Sequence, residues 1–216
     1  MSEGARKYTR FDELIGRFDS VLRAIVAPTS GPNRAYPAED VPDLVLEEAE
    51  RLHSAGLMRV NHTGEVCAQA LYTSQALLAR GAATRRQLQQ AAQDESAHLK
   101  WCETRLDELG AAPSRLNAAW CSGSFAIGAV ASVFGDEFNL GFVEETERQV
   151  VRHLEGHMRA LPANDLRSRA IVRVMRDEEA GHAASARGAG ARQLPLAVRK
   201  IMALQARLMT TLAYRI

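Results

Sequence analysis

The sequence predicts an all-α protein built from two long helical hairpins, and three observations support this fold class. Aromatic residues make up only 6% of the 216 residues, while Ala, Leu and Arg dominate, which favours helices over sheets. Apolar residues recur at helical spacing in several long segments. No segment alternates polar and apolar residues over the length of a strand. With 46% hydrophobic and 25% charged residues, the chain has the composition of one sizeable folded domain.

Residues 1–43 are expected to form an N-terminal helix followed by a linker. Apolar residues recur every three or four positions over 11–25, which predicts an amphipathic helix. Pro, Gly, Ser and Asn are concentrated over 28–42, which is typical of a linker. Residues 44–216 are then predicted to form a helical bundle that includes an apolar C-terminal helix.

Helical periodicity resumes after the linker and predicts the two hairpins. Each hairpin contains a turn rich in turn-forming residues, ARGAAT at 79–84 and LPAND at 161–165. The first hairpin is predicted to consist of helices over about 44–78 and 85–109, followed by a long connection over 111–123. A third helix includes the small apolar run 125–134 and continues to about Ala160, and a fourth covers about 166–187. A last helix is predicted over about 196–214.

Charge and cysteine content exclude several classes of protein. The net charge is +1, so the chain has no general electrostatic reason to bind nucleic acid. Cys67, Cys102 and Cys121 are too few and too scattered for a disulfide framework or a four-cysteine site, which fits a reducing compartment. The sequence contains no run of about 18 apolar residues that would predict a membrane-spanning helix, and its first residues do not resemble a signal peptide. A cytoplasmic location is therefore the expectation.

Two short motifs carry the candidate chemistry. Glu95 and His98 form one Glu-x-x-His motif, and Glu179 and His182 form another. Residues three apart share a helix face, so each pair can reach one metal ion. A single Glu-x-x-His pair has little weight, because such spacing arises often by chance. Two pairs, each on the second arm of a predicted hairpin, form a far more specific pattern.

The positions of the turns bring one more glutamate level with each motif. Antiparallel helices place two residues at the same height when both are equally far from the connecting turn. The midpoint between Glu65 and Glu95 is residue 80, inside the first turn. The midpoint between Glu147 and Glu179 is residue 163, inside the second turn. At about 1.5 Å per residue these carboxylates lie roughly 20 Å from the turns, in the middle of the bundle.

Packing the two hairpins together brings four glutamates and two histidines into one helical core, which is the ligand set of a di-iron or di-manganese carboxylate site. A buried carboxylate is unfavourable alone. Four carboxylates and two divalent cations sum to zero charge, and oxygen and imidazole ligands suit Fe(II) or Mn(II). The predicted metal ligands are Glu65, Glu95, His98, Glu147, Glu179 and His182.

Several neighbouring residues leave alternatives open. Glu144, Glu145 and Glu178 compete with the chosen glutamates, which are preferred for their spacing and turn symmetry. Tyr72 lies seven residues after Glu65, on the same helix face, and is either a hydrogen-bond donor beside the site or a core tyrosine. His153 lies six residues after Glu147 and is a candidate for electron entry or for a contact with a ligand. A surface histidine is the simpler interpretation.

Four runs of residues resemble a known family. RVNHTGE at 59–65, DESAH at 94–98, ETE at 145–147 and RDEEAGH at 176–182 are similar to the demethoxyubiquinone hydroxylases of ubiquinone biosynthesis, which are ferritin-like di-iron carboxylate proteins. The resemblance extends from about Leu52 to the C-terminus. It implies a ferritin-like four-helix bundle with additional N- and C-terminal helices. It also implies that the six predicted ligands hold two Fe²⁺ ions bridged by carboxylates.

The resemblance further implies an O₂-dependent monooxygenase that hydroxylates the ring of a polyprenylated demethoxyubiquinol. Such a protein is expected at the cytoplasmic face of the cell membrane as a peripheral protein, with the apolar helices near 125–134 and 196–214 in contact with lipid or with the isoprenoid tail. Burial of both helices in the bundle core is the alternative. The reaction needs two electrons from NADH, from the quinol or from a partner protein, and the sequence lacks a Gly-rich nucleotide fingerprint. Partners in a biosynthetic complex and a homo-oligomer are both compatible with the sequence.

Three other functions compete with this hypothesis. An iron-storage protein would assemble into a large cage, and a rubrerythrin-like peroxidase would need a four-cysteine iron site that this chain cannot supply. The alternative outside enzymology is a non-catalytic helical protein that binds lipid or acts as a scaffold in quinone biosynthesis. That alternative predicts that Glu95 and Glu179 are dispensable for function.

Overall fold

The structure, a computed structural model, describes residues 34–216 and is helical throughout its regular parts. No strand occurs within this range, which confirms the predicted all-α class. The helix predicted over 11–25 lies outside the described residues. Residues 34–216 contain six helices, which are α1 (Glu48–Leu78), α2 (Ala82–Glu108), α3 (Asn117–Val133), α4 (Asp136–Ala160), α5 (Leu166–Gly188) and α6 (Leu196–Ala213).

Four of these helices form the predicted ferritin-like bundle. α1 and α2 pack as one antiparallel hairpin, and α4 and α5 pack as the other. The hairpins meet through contacts of α2 with α5 and of α1 with α4. α3 lies along α1, and α6 contacts α1 and α4, so these two helices cover one side of the bundle. None of the described helices is both long enough and apolar enough to cross a bilayer.

The predicted third helix is wrong in one respect, because two helices occupy its place. α3 begins at Asn117, inside the predicted connection, and ends at Val133. Gly135 then takes a left-handed conformation with φ 95°, which interrupts the helix at a position that favours glycine. Asp136 starts α4 and accepts hydrogen bonds from the backbone N–H groups of Arg80 and Gly81. These hydrogen bonds connect the start of the second hairpin to the turn of the first hairpin.

The core consists of two apolar clusters separated along the bundle axis. One cluster surrounds Met58, Leu106 and Ile171 near one end of the bundle. The other surrounds Leu71 and Leu88 toward the opposite end. On each of the four bundle helices, a predicted glutamate ligand falls between the residues of these two clusters. The fold thus places the carboxylates in the dry middle of the bundle.

The segment before α1 also packs against the bundle. Ala38 is completely buried, and its carbonyl oxygen accepts hydrogen bonds from Arg167 on α5. Asp43 forms an ion pair with Arg105, whose guanidinium is buried and also pairs with Asp165. Residues 34–43 are therefore attached to the two helices that carry the Glu-x-x-His motifs.

A close approach between α1 and α3 generates a stability prediction. A Cβ atom at Gly128 would lie 2.1 Å from Ser74 Oγ and 2.5 Å from the backbone oxygen of Leu71. We expect Gly128→Ala to lower the free energy of unfolding by about 1–3 kcal/mol, because the helices must separate. Gly123→Ala is the matched control on α3, since a Cβ there meets nothing within 4 Å. It should be neutral or stabilising by up to about 1 kcal/mol. Urea denaturation of both variants checks this, and equal effects would contradict the proposed close packing.

Candidate metal centre

The structure brings all six predicted ligands together between the hairpins. Glu65 lies on α1, Glu95 on α2, Glu147 on α4 and Glu179 on α5, and each is at least 97% buried. His98 is also completely buried, whereas the side chain of His182 retains 20% of its exposure. Glu144 and Glu145 lie apart from this group, in ion pairs with Arg187 and Arg199.

The six residues form two overlapping groups. In the first group, one ligand atom from each of Glu65, Glu95, His98 and Glu179 lies within 4.8 Å of the others. In the second group, the same holds for Glu95, Glu147, Glu179 and His182. We call these groups the His98 position and the His182 position. Glu95 and Glu179 belong to both, so two adjacent cations could share these carboxylates as bridges.

Both histidines point the same nitrogen at the carboxylates. Nδ1 of His98 lies 3.1 Å from Glu95 and 3.0 Å from Glu179. Nδ1 of His182 lies 3.0 Å from Glu179 and 3.6 Å from Glu95. A neutral imidazole can offer the Nδ1 lone pair to a metal only if the proton is on Nε2. The Nε2 atoms should therefore face acceptors on the opposite side of each ring.

Each Nε2 atom does face an acidic side chain. Glu178 Oε2 lies 2.8 Å from Nε2 of His98, and Asp94 Oδ2 lies 3.4 Å from Nε2 of His182. Such carboxylates fix the tautomer and orientation of metal-binding histidines. From the sequence alone, Glu178 is only a competing ligand and Asp94 has no assigned role. Their sequence positions could have identified both residues. Asp94 directly precedes Glu95 and Glu178 directly precedes Glu179, and each faces the histidine of the other Glu-x-x-His motif.

The electrostatics of the cluster fit divalent cations. Burial, together with the neighbouring charge of Glu179, raises the pKa values of Glu95 and Glu147 well above the usual glutamate range. Burial opposes ionisation of Glu179 too, but hydrogen bonds from His182 and His98 outweigh it and lower its pKa to about 2. Glu95 Oε1 is buried and has no hydrogen-bond partner among residues 34–216. Positive charge between the carboxylates would relieve the repulsion and satisfy this oxygen.

The oxygen and nitrogen donors also restrict the metal. Carboxylates with two imidazoles suit iron or manganese, whereas structural zinc sites usually contain thiolates. Cys102 is buried against Met175 and is absent from both ligand groups. The cluster can therefore hold metal ions with the ligand chemistry of a di-iron carboxylate site.

Tyr72 and His153 differ in how they relate to the cluster. The hydroxyl of Tyr72, which is completely buried, donates a hydrogen bond to Glu147 Oε1. Burial and the charge of Glu147 raise the pKa of Tyr72, so the phenol keeps its proton. His153 makes no hydrogen bond to a candidate ligand and instead lines a cavity beside the cluster, with its ring 3.9 Å from that of His157.

This cavity connects the cluster with the side of the bundle covered by α3 and α6. It has a volume of about 230 Å³ and is lined mainly by apolar side chains of α1, α3, α4 and α6. Glu65, Glu147 and Glu179 border it. A molecule in the cavity would thus lie against three of the four clustered carboxylates.

Comparison with known proteins agrees with this site. The sequence matches the family of the ubiquinone biosynthesis protein COQ7 over residues 52–213, a range that includes all six clustered residues. The chain belongs to the COQ7 family. This confirms the family resemblance inferred from the four sequence runs.

Relatives in the COQ7 family cover almost the whole chain. A 3-demethoxyubiquinol 3-hydroxylase of Chromobacterium violaceum is 53% identical over 205 residues, which is 95% of this chain and 99% of the relative. Proteins of the same name from Xanthomonas axonopodis pv. citri and Azoarcus sp. are 51% and 50% identical. These alignments cover 98% and 95% of this chain, and 97% and 100% of the relatives. The chain and these relatives therefore have matching lengths.

Near the COQ7-family cluster, the half-buried His153 and the buried His157 generate a pH prediction. Burial lowers the pKa of His153 to about 4, and burial with the charges of His153 and His53 lowers that of His157 to about 2. Unfolding returns each to about 6.5. Above about pH 6.5 both rings are neutral in the folded and in the unfolded chain, so they do not reduce the free energy of unfolding. As the pH falls below this value, the unfolded chain takes up protons that the folded chain does not, and the free energy of unfolding decreases.

We expect His157→Phe to become more stable relative to the unmodified protein as the pH falls from 7 to 5. The relative gain is about 2 kcal/mol, because the unfolded chain no longer gains a proton at this position. Urea denaturation at several pH values measures the difference, in which the titration of all other groups cancels. A difference independent of pH would show that His157 is not held neutral.

Proposed function

We propose that this COQ7-family chain is an O₂-dependent di-iron monooxygenase that hydroxylates the ring of a polyprenylated demethoxyubiquinol. The central support is the pair of overlapping ligand groups, in which Glu95 and Glu179 are shared between two positions. The names of the relatives, 3-demethoxyubiquinol 3-hydroxylase, support the substrate and the reaction. Two Fe²⁺ ions held by the six clustered residues would supply the redox chemistry that activates O₂.

The cavity beside the cluster is the proposed site of the quinol ring. Three buried polar atoms on its wall lack hydrogen-bond partners within the described part of the chain: Asn61 Oδ1, Trp120 Nε1 and His153 Nε2. Unpaired polar atoms in an apolar pocket are suited to fixing a polar ligand. A ring hydroxyl can donate to Asn61 Oδ1, while the indole N–H of Trp120 can donate to a ring oxygen. The remaining lining can contact the ring and the start of the isoprenoid tail.

The protein's own residues hold the ring and keep the reacting centre dry. The two apolar core clusters flank the carboxylates and exclude water from their vicinity. Tyr72 holds its proton at Oη and orients Glu147 through the hydrogen bond to Oε1. Insertion of one oxygen atom into a ring C–H bond leaves the second atom of O₂ to be reduced to water. That reduction requires two electrons and two protons, for which we propose an external electron donor such as NADH.

We also propose a peripheral location on the cytoplasmic face of the cell membrane. Leu196, Ile201, Leu204 and Leu208 of α6 are each more than half exposed. From residue 180 to the C-terminus the chain contains six Lys or Arg residues and no Asp or Glu. An apolar helix face among cations suits the interface of an anionic bilayer. Met202 of the same helix lines the cavity, so a tail could pass from lipid toward the ring.

Oxygen labelling tests the proposed reaction. Protein loaded with Fe²⁺ without air, then given a short-tail demethoxyubiquinol, NADH and ¹⁸O₂, should contain about two irons per chain and form a ring hydroxyl that carries ¹⁸O. Glu95→Ala and Glu179→Ala should lose iron and product, because each removes a shared carboxylate. Asn61→Leu should keep both irons and lower kcat/KM about tenfold, the effect of one lost hydrogen bond. Mass spectrometry and iron analysis give the readouts.

Glu155→Ala is the matched control for these variants, because Glu155 is an exposed glutamate on α4. It should retain iron and product formation. If the loaded protein consumes no O₂ with quinol and a supplied chemical reductant, the oxygenase proposal fails. Unchanged ubiquinone production in cells that carry Glu95→Ala and Glu179→Ala would instead favour the non-catalytic lipid-binding or scaffold alternative.

Vesicle sedimentation tests the proposed membrane contact. The protein should bind phosphatidylglycerol vesicles more tightly than phosphatidylcholine vesicles, and added salt should weaken the binding because it screens the cationic helix. Leu204→Glu with Leu208→Glu should reduce binding at least tenfold, since two apolar contacts are lost. Val45→Glu is the control, because Val45 is 94% exposed but lies before α1. Equal binding by all variants would refute a membrane contact through α6.

A further inference from the structure

The two acidic residues behind the histidines have unequal surroundings. Glu178, behind His98, accepts two hydrogen bonds from the guanidinium of Arg34, one of them 2.8 Å long. Asp94, behind His182, accepts a hydrogen bond of 3.0 Å from the neutral side chain of Gln90. Within residues 34–216, Asp94 has no arginine or lysine as an ion-pair partner. Among the residues that the structure describes, Glu178 is therefore paired with a cation by direct contact, whereas Asp94 interacts with the charge of Arg34 only from a greater distance.

Arg34 also belongs to a group of planar side chains around His98, in which the rings of Trp101 and His98 are tilted by 42°. Its guanidinium carbon lies 4.8 Å from the centroid of the Trp101 ring. The Trp101 ring lies 5.2 Å from the ring of His98. Arg34 thus reaches His98 in two ways, through the carboxylate of Glu178 and through the face of an indole. Both routes converge on the histidine that is completely buried.

Arg34, which contacts Glu178, comes from a part of the chain that precedes the bundle. Arg34 lies before α1, outside the bundle helices and outside residues 52–213 that match the COQ7 family. Residues 36–43 hold this segment against the bundle, because Tyr36 contacts Glu108 and Asp43 pairs with Arg105. A segment that precedes the four-helix bundle therefore supplies a cation directly behind one metal position.

We propose that Arg34 is a positioning residue that makes the two metal positions unequal and strengthens binding at the His98 position. This inference rests on the proposed di-metal site. Arg34 fixes Glu178 so that the carboxylate accepts the Nε2–H of His98, which keeps the Nδ1 lone pair directed at the cluster. It also neutralises Glu178, so no net charge is added behind this position. At the His182 position, where the histidine itself is more exposed, Asp94 performs the same task without such a clamp.

Metal titration of single-position proteins tests this inference. Glu147→Ala removes a group specific to the His182 position, so the His98 position remains, and Glu65→Ala leaves the His182 position. We expect Arg34→Ala to weaken Mn²⁺ binding about 10- to 100-fold in the Glu147→Ala protein, as is typical for loss of a supporting partner. It should change Mn²⁺ binding less than threefold in the Glu65→Ala protein. Electron paramagnetic resonance of free Mn²⁺ and calorimetry give the dissociation constants.

Two further variants separate positioning from general damage. Arg34→Lys keeps the charge but loses the paired hydrogen bonds, so it should bind Mn²⁺ at the His98 position with intermediate affinity. Arg176→Ala is the matched control, because this half-buried arginine of α5 pairs with the exposed Asp177. It should bind Mn²⁺ like the parent protein. Thermal unfolding of the metal-free variants verifies that each is folded.

The outcomes distinguish this inference from the proposed function. If the chain without substitutions binds fewer than two Mn²⁺ or Fe²⁺ ions, the di-metal proposal itself fails. If it binds two ions and Arg34→Ala leaves both constants unchanged, or weakens both positions equally, only the role assigned to Arg34 is overturned. A selective loss at the His98 position, partly restored by Arg34→Lys, supports the inference.

Discussion

Burial of four glutamate side chains between two apolar clusters is the constraint on which the rest of this structure depends. Carboxylates that share a dry site repel one another and lose hydration, so the folded chain needs compensating positive charge there. Two protonated histidines alone cannot balance four carboxylates, whereas two divalent ions can. The bundle can therefore hold metal ions in its charged middle, while the apolar clusters on either side of the site provide stability that the charged middle lacks.

The same constraint explains the layer of residues around the cluster. Each imidazole must offer Nδ1 inward, so each needs an acceptor behind Nε2, and Glu178 and Asp94 occupy these places. The arrangement is nearly symmetric because each hairpin contributes an acidic residue followed by Glu-x-x-His. Arg34 and Tyr72 break that symmetry, one behind His98 and the other on Glu147. Two chemically similar positions thus acquire different environments, which matters for any reaction in which the two ions have different tasks.

The two helices outside the four-helix bundle, α3 and α6, determine the side from which a ligand can reach the carboxylates. α3 contains no charged residue, and α6 combines exposed leucines with arginine and lysine. Between them and the bundle lies the cavity that reaches Glu65, Glu147 and Glu179. A hydrophobic substrate arriving from a lipid surface would meet apolar side chains first and the carboxylates last. The opposite side, around His98, is closed by Trp101 and the segment that carries Arg34.

The sequence by itself determined the all-α class, the two hairpins and the six clustered residues, because helical periodicity and distance from a turn are local properties. It did not determine the helix break at Gly135, where φ is positive. That break depends on the hydrogen bond that Asp136 accepts from the turn of the first hairpin, which is a contact between residues far apart in the chain. Nor did it determine the roles of Glu178 and Asp94, the clamp by Arg34 or the wall of the cavity. Those features depend on which side chains meet from helices far apart in the chain, and only the packed tertiary structure decides such contacts.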